Sequence, residues 1–415
     1  MPIYEIQHGN CLDILSAREK GGRLFDAVVT DPPYELNFMG KGWDNAGVSF
    51  RPDTWRLILS VMKPGAHLVA FGGSKTYHRI ACAIEDAGFE IRDSLMWVYG
   101  QGFPKSHNVS KAIDRALGAE REITGNGRTG ATWGAGAHEA FAGAFGYQTD
   151  FAHKDKPATK VAAQWQGWGT ALKPAFEPII LARKPLEGTV AHNVLEYGCG
   201  GLNVDECRVP AAGRPHIITA AARDDVSYNP NALAGRVDGS LQSSKAVGTT
   251  NEGRWPANLL HDGSEEILGF FPDTASGKPG IIRKGVNAGA CLGAESRLPG
   301  TPMSGFGDSG CAARFFPSAA YSDDERRLFY HSKATAKDRV GSRHPTVKPV
   351  ALMRWLCRLV TPSGSLILDP FAGSGTTGQA ALEEGFSVVL IEQDTTYVAD
   401  IQHRLGAWGA AGKGA

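Results

Sequence analysis

The fold is decided by two turn motifs that each end an apolar run, Asp26-Ala27-Val28-Val29-Thr30-Asp31-Pro32-Pro33-Tyr34 and Leu366-Ile367-Leu368-Asp369-Pro370-Phe371-Ala372-Gly373-Ser374-Gly375-Thr376. A short apolar run that stops at a turn-forming cluster is typical of a buried parallel strand in an α/β protein. Ligands of such proteins bind outside the carboxyl ends of the strands. The sequence therefore predicts one active site that is built from both ends of the chain.

Strand-like and helix-like segments alternate on both sides of these motifs, which predicts an α/β fold with a doubly wound, mostly parallel sheet. Strands are predicted at 26–30, 67–71, 94–99, 177–182, 365–368 and 387–391, and helices at 77–87, 109–117, 350–360, 376–384 and 395–405. The predicted parts are 1–103, one half of the catalytic domain; 104–170, a glycine-rich insertion; 171–185, a core strand; 186–330, a large irregular inserted domain; and 331–410, the other half of the catalytic domain.

The composition narrows the class of protein. Of 415 residues, 43 are Lys or Arg and 43 are Asp or Glu, so a polyanionic partner must meet a local basic patch. No apolar segment approaches the roughly 20 residues of a membrane span, so no membrane partner is expected. Seven scattered cysteines without a CxxC pair favour the cytoplasm. A zinc site at Cys199, Cys207, Cys291 and Cys311 is a less favoured alternative, because this spacing matches no standard zinc pattern.

The late motif places a glycine-rich turn and then a helix N-terminus, at Thr376, after a strand. Such a turn directs backbone N–H groups toward a bound ligand. A phosphate-binding P-loop is excluded, because Gln379 and Ala380 stand where that loop needs Lys and then Ser or Thr. Glu392, at the end of the next predicted strand, is placed to accept hydrogen bonds from ribose hydroxyl groups. The pattern favours an adenosyl ligand, and a plain tight turn before a helix is the alternative.

The early motif combines a carboxylate, two consecutive prolines and an aromatic ring. The prolines hold the backbone extended and remove two N–H donors. Asp31 and the Pro32 carbonyl can therefore act as acceptors without a competing donor, beside the ring of Tyr34. Such a site suits a planar group that carries an amine, for instance a nucleobase with an exocyclic amine. A turn that is merely rigid is the alternative.

Together the two motifs resemble those of the S-adenosylmethionine-dependent DNA amino-methyltransferases, and their order along the chain resembles the β class of that family. In that family D-P-P-Y holds the target amine and F-x-G-x-G binds the methyl donor. Two further segments fit the resemblance, His344-Pro345-Thr346-Val347-Lys348-Pro349 and Gly9-Asn10-Cys11-Leu12-Asp13-Ile14-Leu15. Asn10 stands where the family usually has an acid.

The resemblance implies which residues form the site. Asp31, Pro32, Pro33 and Tyr34 would carry the catalysis, and Lys348 would contact the donor. The cofactor site would comprise Asn10, Cys11, Leu12, Asp31, Lys348, Asp369, Phe371, Ala372, Gly373, Ser374, Gly375, Thr376 and Glu392.

The resemblance also implies the activity, namely transfer of a methyl group from S-adenosyl-L-methionine to the N6 amine of an adenine flipped out of double-stranded DNA. It implies modification of the restriction–modification type, with residues 186–330 as the target-recognition domain and no obligatory metal. Asp31 at the head of its motif favours adenine. Cytosine N4 is the alternative target, and a catalytically inactive DNA-binding regulator is the less favoured alternative function. The resemblance leaves open whether the protein forms a homodimer.

Basic residues concentrate in two places where a duplex would lie, although an ordinary solvated charged face is the alternative. The two sets are Arg326, Arg327, Lys333, Lys337, Arg339 and Arg343, and Lys105, His107 and Lys111. Trp165 and Trp168 are expected in the core rather than at the DNA, because tryptophan is on average a well-buried residue.

Overall fold

Two compact units make up the chain in the computed structural model, which describes residues 2–19, 21, 24–36, 47–100, 106–126, 153–211, 214–218, 245–250, 253–275, 309–318 and 347–411. The first unit comprises Met1–Asn203, Asn258–Ser264 and Ser318–Ala415, and the second comprises Val204–Ala257 and Glu265–Pro317. Every residue predicted for the active site belongs to the first unit.

The described strands are β1 (Tyr4–His8), β2 (Phe25–Thr30), β3 (Met62–Phe71), β4 (Glu90–Val98), β5 (Glu122–Asn126), β6 (His153–Lys156), β7 (Phe176–Arg183), β8 (Arg214–Ile218), β9 (Lys245–Thr250), β10 (Leu259–His261), β11 (Asp273–Ala275), β12 (Ser309–Cys311), β13 (Leu366–Asp369) and β14 (Ser387–Glu392). The described helices are α1 (Cys11–Glu19), α2 (Pro52–Ser60), α3 (Tyr77–Asp86), α4 (Val109–Ala116), α5 (Lys160–Gln164), α6 (Val190–Tyr197), α7 (Glu265–Leu268), α8 (Val350–Val360), α9 (Thr376–Glu383) and α10 (Thr395–Ala411).

The first unit is built on one sheet with the strand order β1-β14-β13-β2-β3-β7-β4-β10. Neighbouring strands are parallel except in the two pairs that β7 makes, with β3 and with β4. β7 therefore runs against the other strands of the sheet. This mostly parallel sheet confirms the predicted fold class.

Helices cover both faces of this sheet, because successive side chains of a strand point to opposite sides. Val389 and Ile391 of β14 belong to a buried cluster that includes Trp55 of α2. Leu390, between them, faces α9, since a Cβ added at Gly378 would lie 2.6 Å from the Leu390 Cδ1 atom. The sheet is thus a buried layer between helices, as a doubly wound fold requires.

The carboxyl ends of β2 and β13 lie side by side where the connections of the sheet change direction. β2 leads to β3 and β13 leads to β14, and these two strands lie on opposite sides of the β2–β13 pair. Connections that leave neighbouring strands in opposite directions open a crevice between them. Asp31 follows β2 and Asp369 ends β13, so the topology brings both motifs to this crevice.

Each predicted strand and helix overlaps an observed element, but the second unit is shorter than the irregular domain predicted at 186–330. Residues 186–203, with α6, belong to the first unit, and so do residues 258–264. The latter contribute β10, which pairs in parallel with β4. A three-residue strand has no readable pattern of its own, because its pairing partner rather than its sequence makes it a strand.

The described residues of the second unit form short elements. β8 pairs with β9 and β11 with β12, both antiparallel. Arg314 donates hydrogen bonds to the Cys311 carbonyl and to the Thr274 hydroxyl, each at 2.9 Å. The rings of Phe271 and Phe316 pack with their centroids 5.4 Å apart. Polar and aromatic contacts over short distances thus hold this part together.

Among the described residues no helix is long and apolar enough to cross a membrane. The same part of the chain contains no group of three or more His, Cys, Asp or Glu residues arranged to hold a metal ion. Cys291, one of the four cysteines of the alternative zinc site, lies outside the described residues.

Candidate active site

A cavity of about 680 Å³ lies at the carboxyl ends of β2 and β13. Most of the predicted site residues line it, namely Asn10, Cys11, Asp31, Pro32, Pro33, Tyr34, Lys348, Asp369, Phe371, Ala372, Gly373, Ser374, Thr376 and Glu392. The other two, Leu12 and Gly375, are next to lining residues in the chain but do not line the cavity. The fold therefore gathers residues from the beginning and the end of the chain around one space.

The Asp31–Tyr34 turn is held by hydrogen bonds to its later carbonyl groups. The Ser49 hydroxyl donates to the Pro33 carbonyl at 2.6 Å, and the Thr76 hydroxyl donates to the Tyr34 carbonyl at 2.9 Å. None of the described residues donates to the Pro32 carbonyl. Pro32 lines the cavity, and the role of its carbonyl as an acceptor for a ligand stays a prediction.

Lys348 ties together two carboxylates and a tyrosine at the wall of the cavity. Its Nζ atom lies 2.5 Å from Asp31 Oδ2, 3.3 Å from Glu177 Oε2 and 3.1 Å from the Tyr34 hydroxyl oxygen. The Tyr34 hydroxyl donates to Glu177 Oε2 at 3.1 Å. These four residues, Asp31, Tyr34, Glu177 and Lys348, are called the Lys348 cluster below.

The cluster keeps Lys348 charged and Tyr34 neutral. Burial acts to lower the pKa of the Lys348 ammonium, but Asp31 and Glu177 outweigh burial and raise it above its ordinary value. Burial, together with the same two carboxylates, raises the pKa of the Tyr34 hydroxyl well above its ordinary value. At neutral pH Lys348 is therefore an ammonium ion and Tyr34 keeps its proton.

Lys348, which the resemblance predicts to contact the donor, lines the cavity and also meets the early turn. The lysine stands two residues before α8, and α8 contacts β2 and β3. Its side chain therefore reaches the turn that follows β2, where it meets Asp31. In this structure Lys348 is a partner of the acceptor motif.

Asp369 is buried beneath the late turn, with 1% of its surface exposed. Its Oδ1 atom accepts hydrogen bonds from the Thr30 hydroxyl at 2.7 Å and from the Phe371 N–H group at 3.1 Å. Burial raises the pKa of this carboxyl to about 6, although hydrogen bonds from Thr30, Thr377 and Phe371 act to lower it. Asp369 thus links the ends of β2 and β13 and holds the late turn in shape.

Asp369→Asn is expected to remove a pH dependence of stability. The pKa of the carboxyl is about 6 in the folded protein, against an ordinary value of 3.8, so its contribution to stability is present below pH 3.8 and is lost as pH rises through 6. This pKa difference corresponds to about 3 kcal/mol. Urea unfolding at pH 4 and pH 7 measures it, since the free energy of unfolding should fall more in the unaltered protein than in the variant. The same fall in both proteins would contradict the assignment.

Three glycines shape the late turn, each for its own geometric reason. Gly373 has φ +50° and Gly375 has φ +77°, conformations that L side chains rarely adopt. A Cβ at Gly375 would also lie 3.1 Å from side-chain carbons of Ile401, and Gly378 permits the close packing of α9 described above. Gly373, Gly375 and Gly378 have the G-x-G-x-x-G spacing of dinucleotide-binding turns, so the glycine pattern alone does not separate a dinucleotide from another adenosyl ligand.

Glu392 ends β14 beside this turn. Its Oε2 atom accepts the Gly373 N–H group at 2.9 Å, and its Oε1 atom accepts the Asp394 N–H group at 2.8 Å. Burial raises the pKa of this carboxyl despite these hydrogen bonds. The Gln393 N–H group also acts on this carboxylate, and an ionised carboxylate can accept about four hydrogen bonds in all. Glu392 thus holds the late turn at the cavity wall, and its contact with ribose hydroxyl groups stays a prediction.

Asn10 caps helix α1 on the other side of β14. Its Oδ1 atom accepts the N–H group of Leu12 at 2.8 Å, and the N–H group of Gly9 donates to the Glu392 carbonyl at 3.0 Å. Asparagine and aspartate are equally good helix caps. This role explains how Asn10 can stand where an acid is usual.

Glu177, the second carboxylate of the Lys348 cluster, was not among the predicted site residues. Its strand was predicted, but the direction of that strand was not. Because β7 is antiparallel, it begins at the edge where its neighbours end, which brings Glu177 to the cavity. A carboxylate at the start of an otherwise apolar strand was the available signal. The other lining residues without a prediction include Gly73, Ser74, Tyr99, Phe176, Asp394 and Tyr397.

Trp165 and Trp168 are exposed, so the expectation that they belong to the core is wrong. Their exposed fractions are 41% and 59%, and their rings meet edge to face with centroids 5.0 Å apart. The loop that carries them is anchored, since the Val109 N–H group donates to the Trp168 carbonyl at 3.1 Å. The preceding helix α5 has five residues and buries only Ala162, which is too little to cover two indole rings.

Several predicted residues lie outside the described part of the chain. They are Lys105, the whole set from Arg326 to Arg343, and His344-Pro345-Thr346. His107 and Lys111 are described and lie beside the start of α4.

The two motifs around one cavity fit the family to which the sequence comparison assigns this chain. A family model described as DNA methylase matches residues 25–403. The chain belongs to the N6/N4 DNA methylase family. This confirms the resemblance inferred from the motifs. S-adenosylmethionine is the methyl donor on which this family depends, so the predicted cofactor is confirmed at the level of the family.

Known proteins match parts of this methylase. The type II methyltransferase M.HindIII of Haemophilus influenzae is 25% identical over 146 residues, which are 34% of either chain. The putative methylase YubD of Escherichia coli is 44% identical over 68 residues, which are 16% of this chain and 30% of YubD. The chain thus spans about a third of the length of these curated relatives. The solved complex of M1.HpyAVI with SAM is 14% identical, with 97% of this chain and 99% of that chain covered and a TM-score of 0.39.

Proposed function

We propose that this methylase transfers a methyl group from S-adenosylmethionine to the N6 amine of an adenine in double-stranded DNA. The observation that carries the proposal is that the acceptor turn at Asp31–Tyr34 and the glycine turn from Gly373 line the same cavity. Methyl transfer requires acceptor and donor to be aligned at one point. The Asp31–Tyr34 turn offers a contact surface for the acceptor, and the glycine turn offers one for the donor.

The residues on the donor side of the cavity fit an adenosyl ligand. Glu392 would accept the ribose hydroxyl groups, the glycine turn would offer its backbone, and Asn10 and Cys11 would lie near the adenine ring. When bound, S-adenosylmethionine supplies a methyl group activated by a positively charged sulfur. The site lies at the change of direction in the sheet, where doubly wound proteins bind adenosyl ligands.

The acceptor side fits an exocyclic amine. Such an amine is a poor nucleophile because its lone pair is delocalised into the ring. Hydrogen bonds from the amine to Asp31 and to the Pro32 carbonyl would favour a pyramidal nitrogen and offset the positive charge that develops on it. As the nitrogen bonds to the methyl carbon, the methyl–sulfur bond breaks and the sulfur keeps the electron pair. The surplus proton of the nitrogen passes to Asp31 and then to water.

An adenine amine lies inside the duplex, so the base must leave the stack before it reaches Asp31. Residues 156–176 offer a surface for the flanking duplex. This segment contains Lys156, Lys160 and Lys173 and no acidic residue, and all three lysines are exposed. It also carries the exposed Trp165–Trp168 pair and ends at Phe176 in the cavity lining. Exposed aromatic rings among cations are typical of nucleic-acid contacts, by stacking and by phosphate pairing.

Replacing Lys160 and Lys173 by glutamine is expected to weaken DNA binding and to reduce its salt dependence. Each lost phosphate contact should lower the slope of log affinity against log salt by about 1. Trp168→Ala should weaken binding as well but leave the slope unchanged, because stacking releases no counterion. Fluorescence anisotropy of a labelled duplex over a salt series measures both quantities. Donor affinity is the control and should stay constant, and unchanged DNA affinity in all variants would place the duplex elsewhere.

Nucleoside analysis tests the proposed function. Duplex DNA treated with the protein and S-adenosylmethionine is digested, and the methylated nucleoside is identified by mass spectrometry. Detection of N6-methyladenine would support the proposal. Detection of N4-methylcytosine would show that cytosine, the alternative base, is the target. DNA binding without any methylation would support the regulator instead.

We assign sequence recognition to the second unit. Replacing that unit by the corresponding unit of a relative should therefore change which DNA site is methylated.

A further inference from the structure

Glu177 is the one carboxylate of the Lys348 cluster that does not belong to the acceptor motif. It lies on β7, where it is opposite Trp97 of β4, and its side chain is 21% exposed at the cavity wall. It accepts a hydrogen bond from Tyr34 and pairs with Lys348. Lys348, however, already has Asp31 as a partner at 2.5 Å. Asp31 by itself therefore balances the formal charge of the lysine.

The charges of the cluster show what Glu177 adds. Asp31 and Lys348 form a neutral ion pair, and Glu177 makes the cluster negative by one elementary charge. The Asp31 and Glu177 side chains, which carry the negative charge, are 26% and 21% exposed, so solvent and salt screen this charge only partly. A fixed negative charge in a half-buried site attracts a cation far more strongly than it would in water.

We infer that Glu177 is a specificity-determining residue that selects the positively charged methyl donor over its uncharged product. The inference rests on the proposed function, in which a sulfonium ion lies in this cavity within reach of the amine at Asp31. S-adenosylmethionine carries a positive sulfur, and S-adenosylhomocysteine, formed when the methyl group leaves, has a neutral thioether. The negative cluster attracts the sulfonium ion of S-adenosylmethionine but not the neutral sulfur of S-adenosylhomocysteine. The product therefore dissociates more readily.

The test compares the affinities of these two ligands by calorimetry, for the unaltered enzyme and for Glu177→Gln. Glutamine keeps the shape and an acceptor for the Tyr34 hydroxyl but loses the charge. The affinity for S-adenosylmethionine should fall about tenfold, while that for S-adenosylhomocysteine changes less than about twofold. A residue with only a structural role would change both affinities by the same factor, and that result would overturn the inference.

Two further variants separate charge from structure. Tyr34→Phe removes the hydroxyl that bridges Glu177 and Lys348 but leaves all three charges, so the ratio of the two affinities should not change. Glu90→Gln removes a carboxylate that pairs with Arg183 at 2.6 Å on the same sheet, away from the cavity, and should also leave the ratio unchanged. A changed ratio in Tyr34→Phe would mean that hydrogen bonding rather than charge sets the preference. If the unaltered enzyme binds neither ligand, the proposed function itself fails.

Discussion

At saturating donor, Asp31→Asn should lower turnover by roughly a hundredfold or more while DNA affinity changes little; donor affinity should fall about tenfold, as in Glu177→Gln, because the Lys348 cluster loses the same charge. The carboxylate is the charged acceptor for the target amine, and its charge is needed most when positive charge develops on the nitrogen. Its Oδ2 atom is held by Lys348 at 2.5 Å, so the group is oriented before any ligand arrives. Asparagine keeps the shape and one acceptor oxygen but removes the charge. Single-turnover methylation of a duplex measures the effect.

Two other variants complete this prediction. Asp31→Ala should be at least as inactive, since it also loses the oriented acceptor. Asp53→Asn is the matched control, because Asp53 is an exposed carboxylate on α2 that pairs with Arg56, and its turnover should be normal. Near-normal turnover in Asp31→Asn would show that positioning suffices without charge. Near-normal turnover in Asp31→Ala would remove Asp31 from the mechanism.

Gly373→Val should weaken binding of S-adenosylmethionine by about a hundredfold or more. Gly373 lines the cavity, has φ +50° and donates its N–H group to Glu392 at 2.9 Å. A branched side chain is strained at this φ and stands where the ligand must approach the backbone. The strain would also move the N–H group and with it the Glu392 carboxylate. Calorimetry with the purified variant gives the affinity.

Gly364→Val is the matched control for this change. Gly364 has φ +73°, so valine is strained there as well, but a Cβ at this position would have nothing within 4 Å. The turn before β13 should therefore lose a similar amount of stability, about 1–2 kcal/mol, without any effect on donor affinity. Equal donor affinity in the Gly373 variant and the control would show that the glycine turn does not approach the donor.

The sequence by itself determined the motifs of the catalytic unit and most strands of its sheet, because their signals are local; β1, α1, α2 and β10 were not predicted. A short apolar run bounded by turn residues, such as Leu366–Asp369, indicates a strand that is buried on both faces. The prolines of the early turn and the glycines of the late turn limit the backbone at their own positions. The doubly wound class followed from these local signals, and so did the expectation that both motifs meet in one site; the strand order that puts β2 beside β13 came from the structure.

Only the tertiary structure decided which side chains meet in that crevice. The direction of β7 depends on its neighbours β3 and β4, and this direction alone brings Glu177 to Lys348. The pairing of Lys348 with Asp31 joins residues 317 positions apart, which no local pattern encodes. The exposure of Trp168 likewise depends on how little the short helix α5 can cover. Strand direction, ion pairing and burial are contacts between distant parts of the chain, so they become defined only when the chain has folded.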